Sequence, residues 1–492
     1  MNASRTIKKT GIIIIILTLT ACTPNKAWRT VNNFKECTST SPESLDEKEC
    51  LIENITDVNG NNLYKLGFLE FTDRGNLFDN NARNKILSKI ERDAAEGVLV
   101  IVYAHGWNYN AKFHDSNVDS FRKALSRISR IPEITRNRKV YGIYLGWRGR
   151  VWPWYFNHIL TYWDRKSIAR EIGDSGVSDI LLRLDMIDKI NDNNTLLIAG
   201  HSLGAQMLSS AVNEILLHRM IEKKYNKVKE LEKFADGIVL VNPAVEANQF
   251  LQLYELSLDQ DVRNDLGDRK LLTIITTKDD FPTRTLFPLG QFFNTLFTNQ
   301  NKIDRDYFSG GKVSEFDLDL ITAGQYKPFH TANLFGKKIA DSNHSSNESN
   351  DKKYDLYFKD CCTNPDKCYL SKEKTRFICK DKKLPISVVY TEESFIEDHN
   401  DIFNNKLIAY LSTAASGNTI LQKKRNGVDD RGNSIFNFWL GALADECSEN
   451  NNFDFSKCFT YFYKEFCDLS EGEEREICSK EVRLDGGGPL LY

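Results

Sequence analysis

The pentapeptide Gly200-His201-Ser202-Leu203-Gly204 stands between an apolar run, Leu196-Leu197-Ile198-Ala199, and a stretch of helical period. In that stretch Ala205, Ser209, Ser210 and Ala211 alternate with Leu208, Val212, Ile215 and Leu216. A chain that passes from strand to helix in so few residues must turn sharply, and the flanking glycines leave room for the two elements to pass closely. The bend forces its central residue into a strained backbone conformation and lifts that side chain out of the turn. Ser202 is therefore the candidate nucleophile, weighed against a tight glycine turn with no chemistry. A phosphate-cradling loop does not fit, because the Walker lysine is missing.

Around this turn the chain alternates strand and helix patterns. Strands are expected at residues 63–71, 98–104, 140–145, 196–199, 237–241 and 271–276, and helices at 82–95, 118–128, 164–190 and 245–256. Such alternation predicts an α/β fold: a mostly parallel sheet with right-handed crossovers and helices on both faces. From about residue 287 to 383 no clean period survives, which reads as a long insertion. A strand at 386–391 and a closing helix at 402–411 restore the pattern.

Both ends depart from it. Arg5, Lys8 and Lys9 precede an apolar run with five consecutive isoleucines, and Leu19-Thr20-Ala21-Cys22 follows. That is the layout of a secretory signal, residues 1–21, with a lipobox. By resemblance to lipoprotein signals, Cys22 becomes the lipidated first residue, a membrane partner through its anchor. Thr23 in place of Asp resembles lipoproteins sorted to the outer membrane of the bacterial cell envelope. Ten of the eleven cysteines then remain, an even number suited to an oxidising compartment. Residues 22–60 read as a tether with a small loop closed by Cys37 and Cys50. Residues 416–492 read as a cysteine-rich helical tail, in which Cys447–Cys478 and Cys458–Cys467 are the favoured pairs. Cys361, Cys362, Cys368 and Cys379 lack paired C-x-x-C knuckles and a nearby histidine, so no metal site is expected. Loss of the signal takes the formal charge from −3 to −6. With no basic run interleaved with aromatics, nucleic acid is not an expected partner.

A serine nucleophile needs a base, the base an orienting carboxylate, and the oxyanion preplaced donors. The strand at 98–104 ends in His105-Gly106-Trp107, a turn suited to presenting a backbone N–H, so the Trp107 and Leu203 amides are the candidate oxyanion donors. His105 itself reads as a turn residue. The strand at 271–276 leads into Lys278-Asp279-Asp280, which puts a carboxylate at the carboxyl end of the sheet. Asp280 is preferred over Asp279 because Phe281 could shield its bond to imidazole. Of the histidines downstream, His399 follows the restored strand, His330 is its rival within the insertion, and His344 lies in a polar stretch. In the aromatic run from Trp147 to Trp163, pocket wall, membrane contact and plain core packing all stay open.

In the order Ser202, Asp280, His399, residues 63–415 resemble the α/β-hydrolase superfamily. The segments His105-Gly106-Trp107-Asn108, Gly146-Trp147-Arg148-Gly149 and Trp163-Asp164-Arg165-Lys166 look like uncharacterised bacterial esterase- and lipase-like lipoproteins. The resemblance implies a hydrolase domain over residues 61–415 and a serine hydrolase that needs no cofactor. Small-molecule or lipid esters would be its substrates. A surface lipoprotein that binds partners on an inactive hydrolase scaffold is the alternative from another class.

Overall fold

The computed structural model describes residues 25–29, 35–45 and, between 50 and 404, all but short stretches, of which 151–159, 339–353 and 361–383 are the longest. The strands are β1 (Lys35–Ser39), β2 (Cys50–Thr56), β3 (Asn62–Glu70), β4 (Val98–Ala104), β5 (Lys139–Gly146), β6 (Thr195–His201), β7 (Gly237–Val241) and β8 (Leu272–Thr277). After them come a small hairpin, β9 (Lys302–Asp304) and β10 (Lys312–Ser314), then β11 (Ala332–Lys338), β12 (Tyr354–Asp360) and β13 (Ile386–Thr391). Eleven strands share one sheet in the order β1-β2-β3-β5-β4-β6-β7-β8-β13-β11-β12. From β3 to β11 along that order the pairings are all parallel, and the antiparallel pairs are β2 on β3 and β12 on β11. The architecture is thus α/β, a mostly parallel sheet with helices.

Strand β4 shows why this sequence makes a central strand. Its seven residues are all buried, so it has no polar face. Val98, Val100, Val102 and Ala104 point into one core, packed with residues of α1 (Asn80–Ala94), α3 (Leu160–Ile172), α4 (Ser178–Asp188) and α5 (Leu203–Lys224). Leu99, Ile101 and Tyr103 point into a second core with Val118, Phe121 and Leu125 of α2 (Ser116–Ser129). A period of two along the strand therefore feeds two cores, one on each side of the sheet.

The helix expected over 164–190 is two helices, α3 and α4, joined by a wide π-type turn at Gly173–Val177. Close packing accounts for the break, since a Cβ on Gly173 would lie 2.2 Å from the Met207 carbonyl oxygen of α5.

Two other expectations need correction. Residues 35–56 are not tether: β1 and β2 extend the sheet, and the Cys37–Cys50 disulfide joins them. A buried acid disguised β2, because Glu53 lies fully buried in the middle of the strand. Arg29 Nη1 at 3.0 Å and Arg122 Nη2 at 2.6 Å both donate to its Oε1, and Arg122 Nε donates to Oε2 at 2.9 Å. Residues 287–383 are not uniformly irregular either. They carry the helices Phe287–Thr295 and Glu315–Leu320, the hairpin, and two strands of the main sheet; the second helix and the hairpin strands are too short for periodicity to register. Of the expected closing helix at 402–411, Phe403 and Asn404 form a bend, and the remainder from residue 405 lies outside the described residues. So do Cys22, the middle cysteine group and the whole tail.

Glu53→Ala should therefore destabilise the fold by about 3–5 kcal/mol, because it strands two buried guanidinium groups. Urea denaturation measures it. A loss under about 1 kcal/mol would mean that the pair behaves like a solvated surface bridge.

Candidate active site

Strand order decides where a site can form. From β4 the chain returns to β5 on one side, and from β6 it goes on to β7 on the other. The crevice at the carboxyl ends of β4 and β6 is therefore a topological switch point, where open α/β sheets take ligands. The loop 105–110 leaves β4 there, and Ser202 leaves β6.

Ser202 has φ 52° and ψ −118°, a conformation that a serine adopts only under constraint. The surrounding backbone holds it: Ser202 N–H donates to the Val241 carbonyl at 3.1 Å, and the Ser202 carbonyl accepts from Gln206 N–H at 3.1 Å and Ala244 N–H at 3.3 Å. The side chain makes no capping bond to its own helix. Two turns meet closely here. A Cβ on Gly106 would lie 3.0 Å from the Ser202 Cβ, and one on Gly204 would lie 2.2 Å from the Ala104 carbonyl oxygen. Among the described residues no acceptor takes the backbone N–H of Trp107 or of Leu203.

Asp280 and His399 come together. His399 Nδ1–H donates to Asp280 Oδ1 at 2.6 Å, and the Thr283 hydroxyl donates to the other carboxylate oxygen. Asp280 has no exposed surface, while the His399 side chain keeps 15%. With Nδ1 so committed, the His399 Nε2 is left to accept a proton. Phe281 does not shield this pair; it is 59% exposed, and burial of Asp280 itself supplies the desolvation. Asp279 lies outside the described residues. His330 is occupied elsewhere: its ring stacks on Tyr390 with centroids 4.8 Å apart, and Nε2–H donates to the Gly324 carbonyl at 2.8 Å. Burial holds its imidazole down at about 4.

The structure does not join Ser202 to His399 by a hydrogen bond, and Ser202 is only 2% exposed. A hydroxyl reachable at the rim was expected, and the structure buries it instead.

Two residues that the sequence did not single out fix the His399 loop. His201, directly before the serine, donates Nε2–H to the His399 carbonyl at 2.7 Å, and the two rings lie 4.6 Å apart. Burial, with His399 beside it, holds the His201 imidazole well below the usual histidine range, so it stays neutral. Asn242, at φ 45°, donates to the same carbonyl at 3.5 Å while its own Oδ1 accepts from Thr277 N–H at 3.0 Å. Positive φ at an asparagine is a structural signal that sequence alone does not carry.

The segments after β5 and in α3 brace the turn at residues 105–107. Trp147 stacks on His105 at 5.6 Å and donates Nε1–H to the His105 carbonyl at 3.0 Å, so this tryptophan is core. Gly149 accepts from Asn108 N–H at 3.1 Å, and a Cβ there would lie 2.9 Å from the Gly106 oxygen. Arg148 and Arg165 share Asp73 as their anion. Trp107 meets the buried Tyr162 edge-on at 5.5 Å. Trp152, Trp154, Tyr155 and Phe156 lie outside the described residues. Behind the elbow, Lys166 pairs with Glu246 at 2.5 Å across buried surroundings. Among the described residues no cluster of His, Cys, Asp or Glu could hold a metal.

His105 is fixed in one protonation state. Nδ1–H donates to the Gly106 carbonyl at 2.9 Å, and Nε2 accepts from Trp147 N–H at 3.2 Å. Both bonds exist only for the neutral ring, and burial lowers its pKa to about 4. Unfolded, the same ring takes a proton near 6.5. The folded pKa lies below the unfolded one, so stability is present above pH 6.5 and is lost as pH falls toward 4. His105→Gln should flatten the stability-against-pH curve over that window by up to about 3 kcal/mol. Denaturant titrations at several pH values test this, and an unchanged slope would contradict it.

No family model matches the chain, and no curated protein matches it. Among solved structures it is similar to the phospholipase PlaB from Legionella pneumophila in complex with thio-NAD, at 11% identity and a TM-score of 0.23. A second structure of phospholipase PlaB from Legionella pneumophila gives 12% identity and a TM-score of 0.22. Each alignment covers 53% of this chain and 49% of the phospholipase, about half of either molecule. So loose a likeness is compatible with a hydrolase-type fold and carries no weight for the chemistry, which rests on the site itself.

Proposed function

We propose that this chain is a serine hydrolase that cleaves carboxylic esters, lipid esters among them. Lipid on Cys22 anchors it in the bacterial cell envelope, at the outer membrane. Ser202 Oγ attacks the ester carbonyl as His399 Nε2 takes its proton. The resulting imidazolium is held by Asp280, and the oxyanion by the Trp107 and Leu203 amides. His399 then protonates the leaving alcohol, and water, deprotonated by the same ring, releases the acid from the acyl-enzyme.

The observation that carries this reading is the 2.6 Å bond between a fully buried Asp280 and His399, beside a serine held at positive φ. A fully buried carboxylate bonded to a partly exposed histidine has few structural uses, and strained backbone concentrates at functional sites.

The second reading, an inactive hydrolase scaffold that serves as a surface binding module, draws on the enclosure of Ser202 and the missing serine-to-histidine bond. Hydrolysis of chromogenic esters of graded chain length separates the two. Ser202→Ala, His399→Ala and Asp280→Asn should each lower kcat/KM by about 10³-fold or more. His330→Gln should stay within about threefold of the parent, as expected of a residue outside the reacting set. Hydrolysis that survives Ser202→Ala, or that is lost in His330→Gln and kept in His399→Ala, would overturn the assignment. A folded protein inactive on every ester would favour the scaffold.

A further inference from the structure

The short stretch that follows the anchor cysteine is bolted to the fold. Trp28 N–H and Arg29 N–H each donate at 2.8 Å to the Glu70 carboxylate. Arg29 Nε donates to the Ala111 carbonyl at 3.1 Å, Nη1 reaches Glu53, and its guanidinium lies 3.7 Å over the Phe68 ring. Lys26 and Lys112 bracket the Trp28 ring at 5.1 and 4.4 Å from its centroid. Five consecutive residues with this many fixed partners form a stem.

The register shows which rim the stem occupies. Glu70 ends β3 and pairs with Gly146, Leu145 of the same strand pairs with Ala104, and Ala104 pairs with Gly200. These strands run parallel, so Glu70 sits at the carboxyl rim, the rim that carries Ser202. Three strand spacings separate Glu70 from Gly200, about 14 Å. One loop spans that gap: Trp107 lies at its start, the Tyr109 hydroxyl donates to Asn400 at 3.2 Å, and the Ala111 carbonyl holds the stem. The stem thus stands against the loop that carries an oxyanion donor and touches the residue after His399.

Cys22 is six residues ahead of Trp28, which extended chain spans in no more than about 20 Å. A lipid on Cys22 would leave Trp28 that close to the bilayer, with the fold unable to swing away while the stem stays docked. Tryptophan and lysine are the side chains that settle at a membrane interface. We propose that the stem at residues 25–29 holds the carboxyl rim of the sheet, with the Ser202 crevice, against the lipid surface in which Cys22 is anchored. The inference rests on the reading of Cys22 as lipidated and deepens the proposed action on lipid esters, because acyl chains would meet the crevice directly.

The opposite rim supplies the control. Met186, in α4 ahead of β6, is 71% exposed and would face away from the membrane. The test places the photoreactive residue p-benzoylphenylalanine at position 112, 400 or 186 of the full lipoprotein. Each protein is reconstituted into vesicles of phosphatidylethanolamine and phosphatidylglycerol, and lipid adducts are read by mass. Positions 112 and 400 should give several-fold more adduct than 186. Inserting a flexible linker of about twenty residues after Thr23 should erase the difference. Equal or greater adduct at 186, insensitivity to the linker, or a mature protein without lipid on Cys22 would overturn the proposal. None of these readouts requires turnover. Rim adducts on a protein that hydrolyses no ester would uphold the orientation and remove the hydrolase reading alone.

Discussion

A methyl group on Gly204 would stand 2.2 Å from the Ala104 carbonyl oxygen and 2.5 Å from that of His105. Backbone meets backbone at this point, and the geometry of the site follows from the contact. The elbow helix can begin against the end of β4 only if no side chain intervenes, and the His105-Gly106-Trp107 turn can lean on Ser202 only if Gly106 is bare. Through that contact the serine, two unclaimed amides and the crevice at the switch point occupy one small volume. Interiors pack too densely for a substitution here to be absorbed without moving one turn off the other.

Around the contact the protein uses buried polar groups as fixed struts. His105 holds the turn to Trp147, His201 holds the carbonyl of the His399 loop, and Asp280 holds His399 itself. Three imidazoles within one neighbourhood have different tasks because their partners differ. A ring whose Nε2 accepts a backbone N–H is locked neutral, and so is one buried against a neighbouring histidine. His399, the most accessible of the three, has Nδ1 committed to a carboxylate and Nε2 uncommitted. Burial keeps the two struts neutral, which leaves them fixed in one hydrogen-bonding state. Farther out, Arg29, Glu53 and Arg122 do for the edge of the sheet what the histidines do for the site: they fix where a loop and the N-terminal stem can lie.

Much of the sheet was legible from the chain because its central strands are apolar on both faces. Runs such as residues 98–104 admit few other folds, and β4 has the bounds expected of it. The elbow was legible for the same reason, since glycine spacing between strand and helix patterns encodes a close approach. What stayed hidden was hidden by charge or brevity. Glu53 made a buried strand look like tether, because its two arginine partners come from distant sequence. The six residues of Glu315–Leu320 are too few for a helical period to emerge. His201 was present in the motif, yet its bond to the His399 carbonyl depends on a contact 198 residues away. Asn242 had no sequence mark at all. Phe281 illustrates the converse, since adjacency in sequence suggested a shield and the backbone turned the ring outward.

The enclosure of Ser202 fits a site at rest and one that never works alike, so a measurement has to separate them. A fluorophosphonate captures a serine only when a neighbouring base activates it and the probe can reach it, so adduct formation reports activation and access together. Incubation of the folded protein with such a probe, followed by digestion and peptide mass mapping, is the most direct measurement. A catalytic Ser202 predicts one phosphonate on the peptide that contains Ser202, absent when the protein is unfolded before treatment. An unmodified Ser202 peptide from folded protein, or a phosphonate on another serine, would contradict it.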